Sequence, residues 1–255
     1  MVTNFFQETY ILFKRSVAHT LRNPVWVFIS LFQPLLYLFL FMPLLKSLDG
    51  VPGLPAGQTV TVFIPGLLVM LALYGSTFVG FGFISEIREG VIDRFLVAPI
   101  SRTAILLGPI LRDVLVLLVQ CILLIVFAIP FGLSVSPLGL LLSLVLFALI
   151  AVVMASMSYA FAIMFKSEDQ LAPTLQTIIL PVTLLSGITL PLALAPGWLQ
   201  KLAYLNPFSH AVDAARTLFM GNIMSTDVLR GFIAVILLAL LNLWWARNAL
   251  HKMSS

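Results

Sequence analysis

Charged residues are scarce in this sequence. Asp, Glu, Lys and Arg make up 9% of its 255 residues, whereas 61% are hydrophobic. A soluble domain carries roughly 25% charged residues, so too few charges are present to coat this much apolar surface in water. The composition excludes a water-soluble fold and indicates an all-α polytopic membrane protein, because helices satisfy their own backbone hydrogen bonds in lipid.

Residue types that build catalytic and metal sites are also nearly absent. The single cysteine, Cys121, excludes an intrachain disulfide and a cysteine-based metal cluster. The three histidines are far apart, and no phosphate-binding loop of the form G-x-x-x-x-G-K-[ST] occurs. We therefore expect no catalytic residue, cofactor site or metal site on this chain. We expect no contact with nucleic acid either, because the net charge of +4 is not gathered into a basic run.

Long apolar runs dominate what is present. A span needs about 20 residues, because the hydrocarbon core is ~30 Å thick and a helix rises about 1.5 Å per residue. The runs, divided at proline and glycine, predict one transmembrane domain over 1–255. Its six spans are predicted at 25–45, 60–84, 106–130, 138–165, 171–190 and 228–246.

The distribution of basic residues predicts the orientation. With six spans, ten of the 14 Lys and Arg residues fall on the side of both termini, and the other side holds Lys46, Lys201, Arg216 and Arg230. Cytoplasmic loops carry the excess of Lys and Arg. We therefore expect a multi-pass protein with both termini in the cytoplasm.

Residues 3–22 form a predicted amphipathic interface helix. Apolar side chains recur every three or four residues, which is the spacing of one helical face, at Phe6, Tyr10, Phe13 and Val17. Such a helix, with basic residues opposite, is typical of the membrane interface and of contact with lipid. Two interpretations remain open at this point: a simple anchor, and a mechanical part that also touches a partner.

A second patterned segment, residues 85–102, follows the second predicted span. It carries an apolar stripe at i, i+4 and i+8, and an acidic face opposite. The stripe consists of Ile87, Val91 and Phe95, and the face of Glu86, Glu89 and Asp93. Pro99 is expected to stop the helix. The pattern predicts a short amphipathic helix outside the bilayer, with an ordinary solvated loop as the alternative.

The third segment, 191–221, is expected on the outer side, before the last span. Pro191, Pro196 and Pro207 exclude one continuous helix, and Trp198 is of the type that anchors at the interface. We predict a re-entrant external region that dips into the outer leaflet, with a plain amphipathic loop as the alternative. Asp213 and Arg216 are three apart and are expected to pair on a short helix.

Ionisable residues are missing from the span centres, which argues against an ion-coupled carrier. The nearest are Arg112 and Asp113, at the start of the third span. They are interpreted as interface anchors, with a role in coupling as the alternative. Small residues at Ser76 and Gly80, and along the fourth span, predict close helix packing.

Two of these segments resemble one known family. The run from Glu86 to Arg102 is similar to the cytoplasmic loop of type-2 ABC exporter permeases, in which an acidic-basic cluster is followed by glycine, an acidic residue and a proline before a basic residue. The segment from Leu185 to Arg216 resembles the re-entrant region before that family's last span. The likeness covers essentially the whole chain and is greatest to the daunorubicin-resistance and nodulation-type exporters.

The resemblance implies the membrane-spanning subunit of an ATP-driven exporter in a bacterial-type plasma (inner) membrane. Two permease copies, as a homodimer or a related heterodimer, would pair with two ATPase subunits that bind the ATP and Mg. It implies a cytoplasmic coupling helix with Glu86, Arg88, Glu89, Gly90, Asp93, Arg94, Pro99 and Arg102. It implies an external gate with Gly187, Pro191, Pro196, Trp198, Asn206, Pro207, Asp213 and Arg216.

The implied activity is export of a hydrophobic or amphipathic compound, such as a drug, an antibiotic or a lipid, by alternating access. The chain itself would not be an enzyme. Two alternatives stay open: a permease for lipid-linked polysaccharide, and a membrane scaffold or assembly factor without transport.

Overall fold

The computed structural model describes residues 5–22, 32, 35–36, 38–40, 59–188 and 196–253. Within these ranges the secondary structure is helical and contains no strand, so the predicted all-α class is confirmed for the part described. The helices are α1 (Phe5–Arg22), α2 (Thr59–Thr77), α3 (Gly80–Arg88), α4 (Val91–Val97), α5 (Arg102–Ala128), α6 (Pro137–Phe165), α7 (Glu168–Leu184), α8 (Gly197–Tyr204), α9 (Pro207–Phe219) and α10 (Thr226–Met253).

Four helical segments of the described chain are long and apolar enough to cross a membrane: Val60–Arg88, Arg102–Phe131, Pro137–Phe165 and Thr226–Met253. They coincide with the predicted second, third, fourth and sixth spans. The predicted fifth span, 171–190, is not among them. Its helix, α7, has 17 residues and so rises about 25 Å, which is less than the ~30 Å hydrocarbon core.

The predicted first span, 25–45, lies mostly outside the described residues. Those described within it, Phe32, Leu35–Leu36 and Leu38–Leu40, are helical. Leu38 is fully buried in the core, and the Phe39 ring lies 6.0 Å from the Phe131 ring, edge to face. A total of six spans therefore stays a prediction.

Helix α6 occupies the centre of the bundle. It contacts α2, α3, α5, α7, α9 and α10, as expected of a helix that is apolar around its whole circumference. The predicted small-residue packing occurs here, because Ser158 accepts a hydrogen bond of 2.9 Å from the Gly80 backbone N–H. A Cβ atom on Gly80 would lie only 2.6 Å from the Ser158 Oγ, so α3 and α6 approach more closely than a larger residue permits.

The helices define two ends of the bundle. At the α4 end, formed by residues 85–102, Arg102 at the start of α5 contacts His251 near the end of α10. At the α9 end, a Cβ on Gly139 would lie 2.4 Å from the Leu218 carbonyl oxygen, and one on Gly231 would lie 2.6 Å from that of His210. The starts of α6 and α10 therefore pack directly against α9.

Candidate functional site

The segment 85–102 is built from two helices rather than the single one predicted. Helix α3 continues through Arg88, and Gly90 then takes the left-handed conformation with φ +69° before α4 begins at Val91. Glycine adopts this conformation without the steric cost that other residues meet. Helix α4 ends at Val97, two residues before Pro99.

The change of direction at Gly90 shifts the apolar face. The predicted stripe is confirmed at Ile87 and Phe95, which pack against a buried core cluster. It is wrong at its middle position, since Ile92 is fully buried whereas Val91 is only half-buried. Phe95 and Leu96 pack beside Ile92 against the same core cluster. The spacing i, i+4, i+8 does not carry across a left-handed residue, because that residue rotates the following helix about its axis.

The charged residues of the segment divide into two groups. Glu89, Asp93 and Arg94 are exposed to solvent, as is Pro99. Glu86, Arg88 and Arg102 instead reach other helices. Glu86 pairs with Arg15 of α1 at 3.3 Å, Arg88 pairs with Glu168 of α7 at 3.1 Å, and Arg102 contacts His251 of α10. The segment thus carries an outward charged surface and is tied to three separate helices.

Helix α1 presents part of its predicted apolar stripe outward. Phe6 and Tyr10 are 82% and 63% exposed, whereas Phe13 and Val17 are half-buried. The opposite face, with Leu12 and Ser16, is buried. An outward aromatic face agrees with the predicted contact with lipid, but the inner face adds a packing role that the sequence pattern did not specify.

The inner face of α1 follows the first three turns of α5. The Ser101 backbone N–H donates to the Glu8 Oε2 at 2.8 Å, which places a carboxylate at the positive N-terminus of α5. A Cβ on Gly108 would lie 2.6 Å from the Leu12 Cβ. Further along, Arg112 donates to the Thr20 Oγ1 at 2.9 Å. The two helices therefore run side by side in the same general direction.

Arg112 and Asp113 are not the interface anchors that the sequence indicated. Asp113 is 7% exposed and accepts a hydrogen bond from the Tyr159 hydroxyl of α6, while the Arg112 Nε lies 2.8 Å from the Asp113 Oδ1. The sequence offered little sign of Tyr159, because it lies 46 residues from Asp113 inside an apolar run.

The segment predicted to be external, 191–221, follows the end of α7. Gly187 has φ +71°, and Pro196 and Pro207 stand at the starts of α8 and α9, where proline is tolerated because the first N–H groups have no intrahelical partner. Trp198 on α8 is 66% exposed. Pro191 lies outside the described residues.

Two side chains of this segment bind backbone carbonyls of the α7 end. Asn206 accepts a hydrogen bond from the Phe208 N–H at 3.1 Å and donates to the Val182 carbonyl at 2.8 Å. Arg216 donates to the Gly187 carbonyl at 2.8 Å. Asp213 and Arg216 lie three apart on α9 and interact through their charges, but they do not approach closely enough to count among the ion pairs of the described residues. The Asn206 bond occupies the Val182 carbonyl, which belongs to the last turn of α7, where helical carbonyls lack intrahelical partners. The Arg216 bond holds the chain just beyond that turn.

Helix α7 differs from the long helices in its outer face. The exposed side chains of α5 and α10 are apolar over most of their length, for example Val119, Val126, Leu237 and Leu240. The exposed face of α7 is mixed, and it carries Gln170, Pro173, Gln176, Thr177 and Pro181. A count of charges does not reveal this face, because its polar residues are uncharged; the signal in the sequence is that Gln170, Thr174 and Thr177 recur at helical spacing.

Comparison with known proteins gives the family. The model of the ABC-2 type transporter family matches residues 7–220. The chain belongs to this family. The expectation drawn from residues 85–102 and 185–216 is therefore confirmed at the level of the ABC-2 permease, and the long apolar helices agree with a membrane protein.

Relatives of this ABC-2 permease carry transport names. The chain is 28% identical over 222 residues to ycf38 of Cyanophora paradoxa, named as a transport permease, and covers 77% of that protein with 86% of its own length. It is 26% identical over 240 residues to the daunorubicin resistance ABC transporter permease protein DrrB1 of Streptomyces coeruleorubidus, with 89% and 82% coverage of this chain and the relative. It is 26% identical over 160 residues to the multidrug ABC transporter permease YbhR of Escherichia coli, covering 43% of that protein.

The match to the ABC-2 family spans the three segments described above. Residues 7–220 run from the first turn of α1 to the residue after α9 and so include α4 and the Asn206 and Arg216 contacts. Helix α10 lies beyond the match. The roles of individual residues in coupling and gating stay predictions.

Proposed function

We propose that this ABC-2 permease is the membrane-spanning subunit of an ATP-driven exporter. The observation that carries the proposal is the outward charged surface of Glu89, Asp93 and Arg94, on a segment whose buried side is fixed to the bundle. Such a surface suits a protein partner. Two ATPase subunits would dock there and would bind the ATP and Mg, since this sequence contains no phosphate-binding loop.

The contacts of the segment supply a route for movement. Displacement of Glu86 and Arg88 acts on α1 and α7 through ion pairs, and displacement of Arg102 acts on α10 through its contact with His251. ATP drives transport only if it binds one arrangement of the permease better than another. We propose alternation between an inward-open and an outward-open pathway, with both termini in the cytoplasm, six spans and a bacterial-type plasma membrane.

The mixed face of α7 supports a pathway beside that helix. Amide side chains such as Gln170 and Gln176 are costly to expose to hydrocarbon, whereas a second subunit or a water-filled passage offers them partners. The Thr174 and Thr177 hydroxyls donate to the Gln170 and Pro173 carbonyls, which leaves their oxygens available as acceptors. A second permease copy, identical or related, would meet this one here and enclose the substrate.

The proposed substrate is hydrophobic or amphipathic, since the exposed faces of the long helices α5 and α10 are apolar over most of their length. The names of DrrB1 and YbhR refer to daunorubicin and to multiple drugs, which favours a drug or antibiotic. The same architecture serves a lipid or a lipid-linked polysaccharide, so the test includes all three.

Reconstitution tests the proposal. The permease is purified with an ATPase subunit encoded beside it, placed in proteoliposomes and offered drugs, lipids and glycolipids. We expect one compound class to stimulate ATP hydrolysis and to be transported. Stimulation by glycolipids alone would favour the polysaccharide alternative, and association without stimulation by any compound would favour the scaffold.

Charge reversal tests the docking surface. We expect the double variant Glu89→Lys/Asp93→Lys to lose ATPase binding and transport while its membrane insertion is unchanged, because like charges would then face the partner. The matched control is Asp227→Lys, an exposed acidic residue at the α9 end. Full ATPase binding and transport in the double variant would contradict the docking assignment.

Substitution on α7 tests the pathway. Gln176→Leu and Thr177→Val remove polar groups from the exposed face, so we expect the concentration of compound that half-stimulates ATP hydrolysis to change. Leu237→Met on the apolar face of α10 serves as the control and should leave it unchanged. If all three variants need the same concentration of compound to half-stimulate ATP hydrolysis, the pathway does not run along the exposed face of α7.

A further inference from the structure

Three side chains form a buried polar cluster between α5 and α6, away from the segments that the family resemblance singled out. The Arg112 Nε lies 2.8 Å from the Asp113 Oδ1, and the Tyr159 hydroxyl donates to the Asp113 Oδ2. Asp113 is 7% exposed and Tyr159 is 1% exposed. The Tyr159 ring also packs against the Phe83 ring at 5.0 Å. The cluster therefore sits inside the bundle rather than at its surface.

Stability alone does not account for an ion pair in this place. Removing two charges from water costs several kcal/mol per ion, and well-packed apolar residues of similar volume are often as stable or more so. Both charges belong to α5, so the helices are joined by the bonds that the two groups make to Tyr159 and Thr20. Another arrangement of the helices would leave a buried charged group without these hydrogen-bond partners, which is costly.

Two further contacts of Arg112 show which arrangement is fixed. Its Nη1 donates to the Thr20 Oγ1 of α1 at 2.9 Å, and its Nη2 lies 3.5 Å from the Tyr159 hydroxyl. A guanidinium presents several donors in a rigid plane, so it can hold a carboxylate and a hydroxyl at the same time. One arginine thus joins α1, α5 and α6.

Several other contacts of α1 reach α5 and the segment 85–102. Glu8 binds the Ser101 N–H, Leu12 packs against Gly108, and Arg15 pairs with Glu86 and lies 5.0 Å from the Phe95 ring. These contacts tie α1 to α5 and to the segment 85–102. Arg112 extends the connection to α6, the helix at the centre of the bundle.

We propose that Arg112, Asp113 and Tyr159 are positioning residues that lock the C-terminal half of α1 to α5 and α6. Movement received at residues 85–102 is then passed through α1 into the central helix instead of being lost as sliding of α1 over α5. The locking itself is independent of the proposed function, whereas the transmission of movement rests on it.

A cysteine reporter tests the lock without any transport measurement. In a Cys121→Ala background, Ser16→Cys places a thiol on the buried face of α1, one turn before Thr20. In membranes we expect slow reaction with a maleimide. Asp113→Asn should accelerate it about tenfold, because loss of a buried charged partner shifts the opening equilibrium by at least that factor. Tyr159→Phe should give a smaller increase.

Two controls keep the result interpretable. Lys14→Cys, on the exposed side of the same helix, should react rapidly in every background and so report insertion and reagent access. Thr20→Val removes the hydrogen-bond acceptor on α1 and leaves the buried ion pair intact. It therefore tests the lock even if the Asp113→Asn protein does not insert into the membrane. Unchanged labelling of Ser16→Cys in Thr20→Val and in any inserted Asp113→Asn protein would overturn the lock.

A transport measurement separates the proposed locking of α1 from the proposed function of the protein in export. In proteoliposomes with the ATPase subunit, we expect Thr20→Val to bind ATPase normally but to move less substrate per ATP hydrolysed. If maleimide labelling of Ser16→Cys changes but the amount of substrate moved per ATP does not, the locking of α1 is supported and its role in transmitting movement is wrong. If no ATPase subunit associates even with the unmodified permease, the proposed function fails, while the labelling result still stands.

Discussion

The two ends of the bundle are held together by different means. At the α4 end, ionic or charge-assisted contacts surround a buried apolar cluster: Arg15 with Glu86, Arg88 with Glu168, and the Ser101 N–H with Glu8. At the α9 end they are close backbone approaches, where Gly139 and Gly231 meet α9.

This difference indicates which end of the bundle can rearrange at lower cost in free energy. Exposed ion pairs contribute about 0–1 kcal/mol each and exchange readily with water, so an end built on them passes between arrangements at low cost. Protein interiors are packed as densely as organic crystals and do not rearrange as easily, and small residues at helix contacts in lipid bring backbones together closely. We therefore expect the α9 end to be the stiff one, and the following substitutions test that contrast.

Gly231→Ala should have the largest effect. Its Cβ would lie 2.5 Å from the Ala214 Cβ and 2.6 Å from the His210 carbonyl oxygen, and neither backbone can move without displacing α9 or α10. Overpacking of this kind costs about 1–3 kcal/mol or more. Thermal unfolding in detergent, followed by circular dichroism, should show a clearly lowered midpoint.

The matched control is Gly82→Ala in α3. A Cβ there would meet no described atom within 4 Å, and alanine favours a helix over glycine by roughly 0.5–1 kcal/mol. The midpoint should stay the same or rise slightly. Equal destabilisation by the two substitutions would argue against close packing as the cause.

Asn206→Ala should cause the second-largest loss of stability. The substitution removes the cap of α9 and leaves the Val182 carbonyl without its side-chain donor, and loss of such a cap costs about 0.5–2 kcal/mol. The same unfolding measurement applies. Asn222→Ala, at an exposed position, is the control, and a comparable loss there would show that the effect is not specific to the α7–α9 junction.

Glu8→Gln should have a smaller effect at the α4 end. The amide oxygen still accepts from the Ser101 N–H, while the interaction of the negative charge with the N-terminus of α5, about 0.3–1 kcal/mol, is lost. Glu89→Gln, at an exposed position, should leave the unfolding midpoint unchanged. A decrease in the unfolding midpoint as large as that in Gly231→Ala would indicate that the α4 end is as stiff as the α9 end.

Arg88→Ala should have the smallest effect on stability. Its ion pair with Glu168 is roughly half-exposed on both sides, so the expected loss is below about 1 kcal/mol and should disappear at high salt, where screening is strong. Unfolding midpoints measured at low and high salt check this. A large loss that persists in salt would require a packing role for the arginine.

Much of the fold was predictable because it depends on composition over many residues. Four spans and α9 followed from apolar runs and from prolines that stand at helix starts. The register of α4 was not predictable, because one left-handed residue, Gly90, redirects the helix after it. Tyr159 was missed for a different reason: its partnership with Asp113 exists only once α5 and α6 are packed together.

The position of α6 has a consequence for how the protein is made. Its nearest neighbours include α10, the last helix, and the Asn242 side chain of α10 donates to the Val153 carbonyl in the interior. A ribosome releases α6 into the membrane well before α10 exists. During that interval the side of α6 meant for α10 has only lipid or a chaperone to cover it. Chains that end before residue 226 are therefore expected to be removed by membrane quality control, however well their first spans insert.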